Sequence, residues 1–418
     1  MTRKRSKKLL FVLAALVLIV GCMIAIPLFF NGNGAGTAGG GAISSLLEKE
    51  EEPEQPVSLE ILCVGDVMAH GAQIKAQYDS TSGTYDFTNN FKYVKDYISA
   101  ADLALCNIET TFAGEPYSGY PNFAAPDALA DALKDAGFDV GMTANNHMLD
   151  RGKSGLLRTL EVLRNKDFAT TGSIYTTDEA RYAMSEVKGL KVATIAYTYE
   201  TTNNSGRVAI NGGLVPEETA ALINSFSYQR IDTDLAEIAS VVSAAREAGA
   251  DIVILYMHWG EEYQKTANDW QRTLASRIAD EMDVDMIFAS HPHNLQEAEM
   301  YTKTLADGST KQIPVFYSMG NFISNQRTET LGAGYEATET GCMAIVNLEY
   351  MKSSGEVTAI EMSAIPVWVD KYSDGVKNVY ELIPLDENLS QNATLAVSGH
   401  LQRAENAKET ANGLLKLN

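Results

Sequence analysis

From about residue 58 onward, short apolar runs alternate with segments of helical periodicity, and a polar signature ends several of the runs. The signatures are Gly65-Asp66, Asn107-Ile108-Glu109, Asn145-Asn146-His147, His258-Trp259-Gly260 and His291-Pro292-His293. Such alternation predicts parallel strands that carry a site at their carboxyl ends. Two late runs of alternating polarity, residues 343–350 and 357–364, predict antiparallel strands and a second sheet stacked on the first. We therefore predict one large α/β domain with two stacked mixed sheets flanked by helices.

Histidine is scarce in this chain, yet five of its six histidines lie in or beside these signatures. Neutral imidazoles, carboxylates and amide oxygens are the ligands that zinc, manganese and iron use in proteins. Because the signatures share one end of the predicted strands, their side chains are expected to converge. The sequence therefore predicts a site for a divalent metal.

Two carboxylates and one histidine segment supply the chemistry of such a site. Asp66 and Glu109 each follow a predicted strand, and Asp66 is placed to bridge two cations. Taken alone, each is also typical of a turn or a solvated loop. Asn146 offers an amide oxygen, and His147 can protonate a leaving group while Asp150 orients its ring. An Asn-rich turn with a surface histidine is the alternative for that segment.

The other signatures offer imidazoles and small polar groups. His258 ends a buried run, where a hydrogen-bonded core histidine is the alternative to a ligand. Residues two positions apart in an extended segment share a face, so both imidazoles of His291-Pro292-His293 are expected to point the same way. Exposed loop histidines are the alternative there. Asn145, Ser318 and Asn321 are candidate substrate-binding residues, and turn formation explains Ser318 and Asn321 as well.

Composition excludes several classes of function. The net charge of -21 disfavours nucleic acid, and an acidic substrate would need a local cationic site such as a bound metal. The sequence contains no Gly-rich phosphate loop and no Gly-x-Ser-x-Gly elbow, so it gives no support to serine hydrolysis.

Cys63, Cys106 and Cys342 lie in apolar runs and are predicted to be buried thiols.

The N-terminal sequence predicts a membrane anchor. Residues 1–8 are basic and cytoplasmic in this interpretation, and residues 9–30 form an apolar run long enough to cross a bilayer as one helix. Lipidation at Cys22 and a cleaved signal peptide are the alternatives. The Gly-rich and acidic residues 31–56 predict a flexible stalk. An extracellular domain over residues 57–370 and a helical extension over 371–418 complete the predicted organisation.

Six motifs, taken in order, resemble the capsule-synthesis CapA family, whose membrane-anchored members serve poly-γ-glutamate capsule production. They are Gly65-Asp66, Asn107-Ile108-Glu109, Asn145-Asn146-His147 with Asp150-Arg151-Gly152, His258-Trp259-Gly260-Glu261-Glu262-Tyr263, His291-Pro292-His293 and Ser318-Met319-Gly320-Asn321-Phe322. That family is similar to calcineurin-like metallophosphoesterases, so the resemblance implies an α-β-β-α sandwich with a dinuclear manganese, zinc or iron centre. The implied metal ligands are Asp66, Glu109, Asn146, His258, His291 and His293.

The resemblance implies His147 as the acid near the leaving group. At one position the chain departs from the phosphoesterase pattern, which usually has a histidine two residues after the first aspartate. This chain has Met68 there, which favours a binding role over catalysis.

Two functions follow. The first is a component of poly-γ-glutamate capsule synthesis or export with a metal-binding, phosphoesterase-like site. Its expected partners are the cell membrane, other capsule-synthesis membrane proteins and the polyglutamate chain. The alternative is an active metal-dependent hydrolase, a phosphoesterase or a γ-glutamyl amide hydrolase, that acts on a substrate of the cell envelope.

Overall fold

The computed structural model describes residues 54–417 of the protein. Its strands in chain order are β1 Val57–Val67, β2 Tyr78–Asp79, β3 Thr84–Tyr85, β4 Leu103–Ile108, β5 Val140–Met142, β6 Ala169–Thr171, β7 Ala183–Val187, β8 Leu190–Tyr199, β9 Ala209–Ile210, β10 Gly213–Leu214, β11 Ser225–Phe226, β12 Ile252–His258, β13 Met286–Ser290, β14 Ala298–Thr304, β15 Thr310–Phe316, β16 Asn321–Ile323, β17 Thr340–Met351, β18 Glu356–Ser373 and β19 Asn378–Pro384.

The α-helices of the described chain are α1 Gly71–Gln77, α2 Lys95–Ala100, α3 Ala128–Ala136, α4 Gly152–Arg164, α5 Glu217–Ala220, α6 Ile231–Glu247, α7 Asp269–Glu281, α8 Thr328–Leu331, α9 Ala393–Ser398 and α10 Leu401–Leu415. Short 3-10 helices occur at Thr88–Phe91, Glu336–Glu339 and Leu389–Gln391. Local sequence explains several helix ends. Asn268 caps α7 by accepting the N–H of Gln271, and α3 ends at Gly137, whose φ of 110° is left-handed.

Two large sheets organise the strands. The first has the order β19-β18-β17-β1-β4-β5-β6, with β16 also paired to β1. The second has the order β11-β8-β12-β13-β15-β14, with β7 also paired to β8. The strands β1, β4, β5 and β6 are parallel, as are β8, β12, β13 and β15. Each sheet therefore presents a row of parallel carboxyl ends.

The burial of alternate residues on β1 explains why the sheets stack. Leu59, Ile61 and Cys63 join a core that also contains residues of β12 and β13, so this core lies between the two sheets. Leu62 and Val64 point the other way, into a core shared with α2 and α3. A third core joins the outer face of the second sheet to α6 and α7. The predicted mixed α/β architecture, with stacked sheets and flanking helices, is confirmed.

The structure differs from the prediction in which strands form the second sheet. The late antiparallel strands β17 and β18 do not build a separate sheet, because β17 pairs antiparallel with β1 and extends the first one. The second sheet forms instead from β8, β12, β13 and their neighbours. The segment predicted as a helical extension includes β19, which pairs with β18 along residues 378–384. The predicted buried thiols Cys63, Cys106 and Cys342 are free and buried.

The prediction of a single-pass protein of the cell membrane needs correction. Within residues 54–417, no helix is both long and apolar enough to cross a bilayer, and this finding contradicts the predicted localisation. The apolar segment 9–30 and most of the predicted stalk lie outside the described residues.

Candidate metal centre

The carboxyl ends of strands from both sheets meet at one place and position the site. Asp66 lies near the end of β1, and Glu109 follows β4 directly. Asn146 lies in the loop after β5, His258 is the last residue of β12, and His291 directly follows β13. Because parallel strands deliver their loops to the same end of a sheet, residues far apart in sequence converge here. The site therefore lies between the two sheets and not along the edge of one.

The centre of the site is a cluster of carboxylates and imidazole. One ligand atom each from Asp66, Glu109 and His258 lies within 4.8 Å of the others, and all three residues are fully buried. Nε2 of His258 also lies 2.9 Å from Oδ1 of Asn146. Buried ionisable groups are normally paired or coordinate a cation. The structure thus brings together the carboxylate, amide and imidazole donors that the sequence predicted to meet.

His291 and His293 reach the cluster by an unexpected backbone path. Their φ angles are 107° and 57°, so the segment is left-handed and the predicted extended geometry is wrong. Their rings nevertheless lie 6.0 Å apart, and the ring of His291 lies 4.9 Å from that of His258. Non-glycine residues with such φ angles cost on the order of 1–3 kcal/mol each and concentrate at functional sites. The fold therefore holds both imidazoles against a local conformational preference.

His293 links the cluster to a second polar group. Its Nδ1 lies 3.1 Å from Oδ2 of Asp66 and 3.0 Å from Oδ1 of Asn321. Asn321 uses its Nδ2 to donate to the carbonyl of Thr338, which fixes the amide with its oxygen toward His293. The structure thus places Asn321, predicted as a substrate-binding residue, beside the imidazole.

Two buried polar atoms of the site have no hydrogen-bond partner among residues 54–417. They are Oε1 of Glu109 and Nδ1 of His291. The Glu109 oxygen lies 3.9 Å from Nε2 of His258 and 3.9 Å from Nε2 of His293. An unsatisfied buried acceptor of this kind is costly unless something binds it. The donor set, with its unpartnered oxygen and nitrogen, fits a divalent cation.

The ionisation of the two carboxyl groups diverges. Burial alone would raise the pKa of Asp66, but the hydrogen bond and charge of His293 bring it well below its usual range. Burial and the charge of Asp66 raise the pKa of Glu109 well above its usual range.

Burial lowers the pKa of His258 to about 3 and that of His291 well below its usual value. Neutral imidazoles keep a lone pair, so His258 and His291 are available as metal ligands.

A histidine–aspartate dyad lies next to the cluster. Nδ1 of His147 lies 2.8 Å from Oδ2 of Asp150. The same Asp150 oxygen accepts the N–H of Phe123 at 2.7 Å, and the Phe123 ring packs perpendicular to the imidazole at 4.7 Å. The backbone N–H of His147 donates to Oδ1 of Asn145. The ring of His147 is therefore held by Asp150 and Phe123, with Nε2 as its remaining polar atom.

Two of the predicted substrate-binding residues connect loops rather than present free polar groups. Asn145 donates from Nδ2 to Oδ1 of Asn107 and to the carbonyl of Ile108. Ser318 donates to the carbonyl of Asn294 at 2.7 Å. Asn145 and Ser318 are fully buried. Their role as substrate-binding residues stays a prediction.

Sequence reasoning did not assign one residue of the cluster, Asn107. Asn107 donates from Nδ2 to Oδ1 of Asp66 at 2.8 Å and to Oε2 of Glu109 at 3.3 Å, so it joins the two carboxylates. Its place two residues before Glu109 on a strand was the available signal. His70 lies apart from this network, since its Nδ1 lies 3.2 Å from the N–H of Asn325 and its ring contacts Phe123. Met68 is buried with its sulfur 3.8 Å from Oγ of Ser324.

Comparison with known proteins agrees with the motifs. A family model described as "Bacterial capsule synthesis protein PGA_cap" matches residues 60–326. "PGA biosynthesis protein CapA" of Bacillus subtilis (strain 168) is 28% identical over 316 residues, which cover 72% of each chain. "Capsule biosynthesis protein CapA" of Bacillus anthracis is 28% identical over 294 residues, covering 68% of this chain and 63% of that protein.

Among solved structures, the calcineurin-like phosphoesterase YfkN from Bacillus subtilis superimposes with a TM-score of 0.40 at 14% identity, covering 85% of this chain and 99% of that one. The family model spans more than half of this chain and contains every residue of the cluster. The protein belongs to the PGA_cap family of bacterial capsule synthesis proteins, and the resemblance to CapA proteins is confirmed.

Proposed function

We propose that the protein acts in the synthesis or export of a poly-γ-glutamate capsule and that its buried cluster binds divalent cations. The observation that carries the proposal is the position of the cluster, which lies wholly within the segment matched by the capsule synthesis family. The names of the two Bacillus relatives supply the pathway. The partners we propose are other capsule-synthesis proteins and the polyglutamate chain itself.

The donor set supports two adjacent cations. Oε1 of Glu109 lies 3.9 Å from Nε2 of both His258 and His293, so this unpartnered oxygen would serve as a ligand beside either imidazole. Asn146, His258 and His291 would complete one group of ligands, and Asp66 with His293 would contribute to the other. When bound, such cations polarise a phosphoryl or acyl oxygen and lower the pKa of a bound water. The mixed nitrogen and oxygen donors suit manganese, zinc or iron.

A second candidate function is hydrolysis of a cell-envelope substrate at the same centre. The observation that favours it is the dyad of His147 and Asp150, which a purely cation-binding site does not need. An imidazole oriented by a carboxylate is suited to hand a proton to a leaving group. The substrate would be a phosphoester or a γ-glutamyl amide.

Metal analysis of the full chain tests the centre. Wild type, Glu109→Gln and His258→Ala would be purified and their metal content measured by mass spectrometry, with the exposed Glu186→Gln as the matched carboxylate control. We expect nearly two equivalents of metal in wild type and in the control, and a loss in both site variants. Equal metal content in all four proteins, or none in wild type, contradicts the proposed centre.

Two further assays separate the candidate functions. Turnover of a generic phosphodiester that disappears with the metal supports the hydrolase. Restoration of capsule formation in a CapA-deficient host by a variant without turnover supports the role in assembly. Failure to restore the capsule with wild type contradicts the proposed pathway.

A further inference from the structure

A cavity of about 340 Å³ lies outside the metal centre and shares no residue with it. It forms where β18, the start of α8 and the segment before α10 meet. Its lining includes Arg327, Lys371, Tyr372, Ser373, Ser398 and His400. All of its lining side chains except Glu329 and Val397 carry an N–H or O–H group. A cavity of this size and donor content, in a chain with a net charge of -21, fits a small anionic group.

The single acid of the lining is already neutralised. Glu329 accepts hydrogen bonds from Nε of Arg327 at 2.8 Å and from Arg403 of α10 at 2.6 Å. Arg403 in turn reaches Glu339, which is buried. The positive charges of the two arginines thus neutralise the negative charges of the two glutamates. Of the two cationic side chains in the lining, Glu329 therefore pairs with Arg327 and not with Lys371.

Lys371 is the lining cation without an ion-pair partner among the described residues, and the charge of Glu329 offsets only part of the effect of burial and of Arg327 on it. Within residues 54–417 it forms no ion pair, and its Nζ contacts only Oδ1 of Asn325 at 3.4 Å and the face of the Tyr380 ring. Burial and the charge of Arg327 lower the pKa of Lys371 below its usual value. An anion in the cavity would relieve this repulsion. The geometry therefore leaves one ammonium group available to a ligand.

His400 adds an oriented imidazole to the same cavity, and Nε2 of this ring is a donor when both ring nitrogens are protonated. Its Nδ1 lies 2.7 Å from Oδ1 of Asp370, a fully buried carboxylate. The side chain is 32% exposed and lines the cavity, so Nε2 is the nitrogen left to face a ligand. The hydrogen bond between Nδ1 and Asp370 fixes the orientation of the imidazole ring. Lys371 and His400 thus approach the cavity from different elements.

The lining also identifies the kind of anion. Val397 lies on the cavity and is 75% exposed, so an apolar surface adjoins the donors. A carboxylate beside a short aliphatic segment would use both, whereas inorganic phosphate would use the donors alone. In a γ-linked glutamyl chain each free α-carboxylate lies directly on the main chain beside two methylene groups, so this polymer offers both features. Such a polymer is otherwise repelled by the acidic surface of the protein.

We propose that this cavity binds a carboxylate of the poly-γ-glutamate chain through Lys371 and His400. The inference rests on the proposed role in capsule synthesis and names a second contact for its polymer. Contacts run from the cavity toward the metal centre. Asn325 touches Lys371 through its side chain and donates its N–H to His70, whose ring packs against Phe123 beside His147. A series of contacts thereby connects the cavity to residues beside the dyad.

Calorimetric titration of the full chain tests the proposal. The probes are a poly-γ-glutamate oligomer, free glutamate and inorganic phosphate, each at low and high salt. Lys371→Gln and His400→Gln are compared with Lys352→Gln, which removes the same charge from the exposed turn between β17 and β18. We expect each cavity variant to weaken oligomer binding about ten-fold, since a hydrogen bond to a charged group contributes that much. Wild-type affinity should fall with salt.

Each result decides a separate question. Oligomer binding that Lys371→Gln weakens and Lys352→Gln leaves unchanged supports the site. Equal loss in the control, or no loss in either cavity variant, overturns it. Phosphate binding as tight as that of glutamate overturns the carboxylate assignment. Metal content is measured in every variant. Oligomer binding by a protein that holds no metal would support the polymer site and contradict the proposed metal centre.

Discussion

Nδ1 of His147 lies 2.8 Å from Oδ2 of Asp150, and both side chains are only 4% exposed. The same carboxylate oxygen accepts the N–H of Phe123, so one oxygen fixes both a loop and an imidazole. In a site with little solvent, such a pair sets which nitrogen of the imidazole carries the proton. The dyad is therefore the part of the site whose function can be tested apart from the metal.

Asp150→Asn should separate catalysis from cation binding. The asparagine can still accept the Phe123 N–H, but its amide group cannot hold the imidazole as a carboxylate does. We expect turnover of a phosphodiester to fall on the order of 100-fold with metal content unchanged. Steady-state kinetics and metal analysis check this, with the exposed Asp178→Asn as control. Unchanged turnover in Asp150→Asn would show that His147 is not the acid.

Glu109→Gln should reduce the stabilisation that the protein gains from metal binding. It should have little effect on the stability of the metal-free protein. The substitution removes a buried carboxyl group whose ionisation is unfavourable and whose Oε1 has no partner among the described residues, so the metal-free variant is expected to be at least as stable as wild type. Wild type should gain about 3 kcal/mol at a metal concentration of 100 times Kd. Thermal unfolding with and without chelator measures both effects. A metal-induced gain of equal size in Glu109→Gln would contradict its place in the centre.

Arg403→Gln should weaken the attachment of α10 in a pH-dependent way. Hydrogen bonds from Arg403, and then from Arg327, lower the pKa of Glu329 below its usual range. A lowered carboxyl pKa contributes stability that is present above about pH 4 and lost as pH falls further. The loss of Tm in Arg403→Gln is therefore expected to be larger at neutral pH than at about pH 3.

Lys95→Gln serves as the comparison, because its ion pair with Asp135 is exposed on both sides and should contribute little at either pH. Equal losses in Arg403→Gln at neutral and acid pH would show that the variant acts through packing alone.

Gly65→Ala should destabilise the strand that carries Asp66. A Cβ at this position would collide with the carbonyl oxygen of Gly320, where β1 and β16 approach each other. Overpacking of this kind typically costs about 1–3 kcal/mol. Gly71→Ala is the matched control, since a Cβ there meets nothing within 4 Å. Denaturant unfolding compares the two, and equal stability would show that β1 and β16 can separate at no cost.

The convergence of the site could be predicted because it depends on local patterns. Apolar runs that end in His258 and Asp66 indicate strand ends, and parallel strands gather their ends on one side. The path of His291 and His293 could not be predicted, because their left-handed backbone is imposed by packing and not by residue preference. Asn107 was not assigned to the site, because its place two residues before Glu109 puts both side chains on one face but does not show that the amide links two carboxylates.

Local sequence patterns could not predict which distant strands pair with each other. Periodicity identifies β17 as a strand but does not select β1 as its partner, and so the division of strands between the sheets was not predicted. The same limit applies to the pair of His400 and Asp370, which are joined by the packing of α10 and β18. The predicted domain boundaries stay predictions.

The pairing of β1 with β17 has a consequence for biogenesis. Val57 lies opposite Tyr350, so the central strand of the first sheet pairs with a strand roughly 290 residues later in the chain. During synthesis, β1 is made first and stays open along one side until almost the whole domain has been translated. Its apolar residues need protection from aggregation for that interval. Truncation before residue 340 should therefore leave an insoluble chain, even though every metal ligand has already been made.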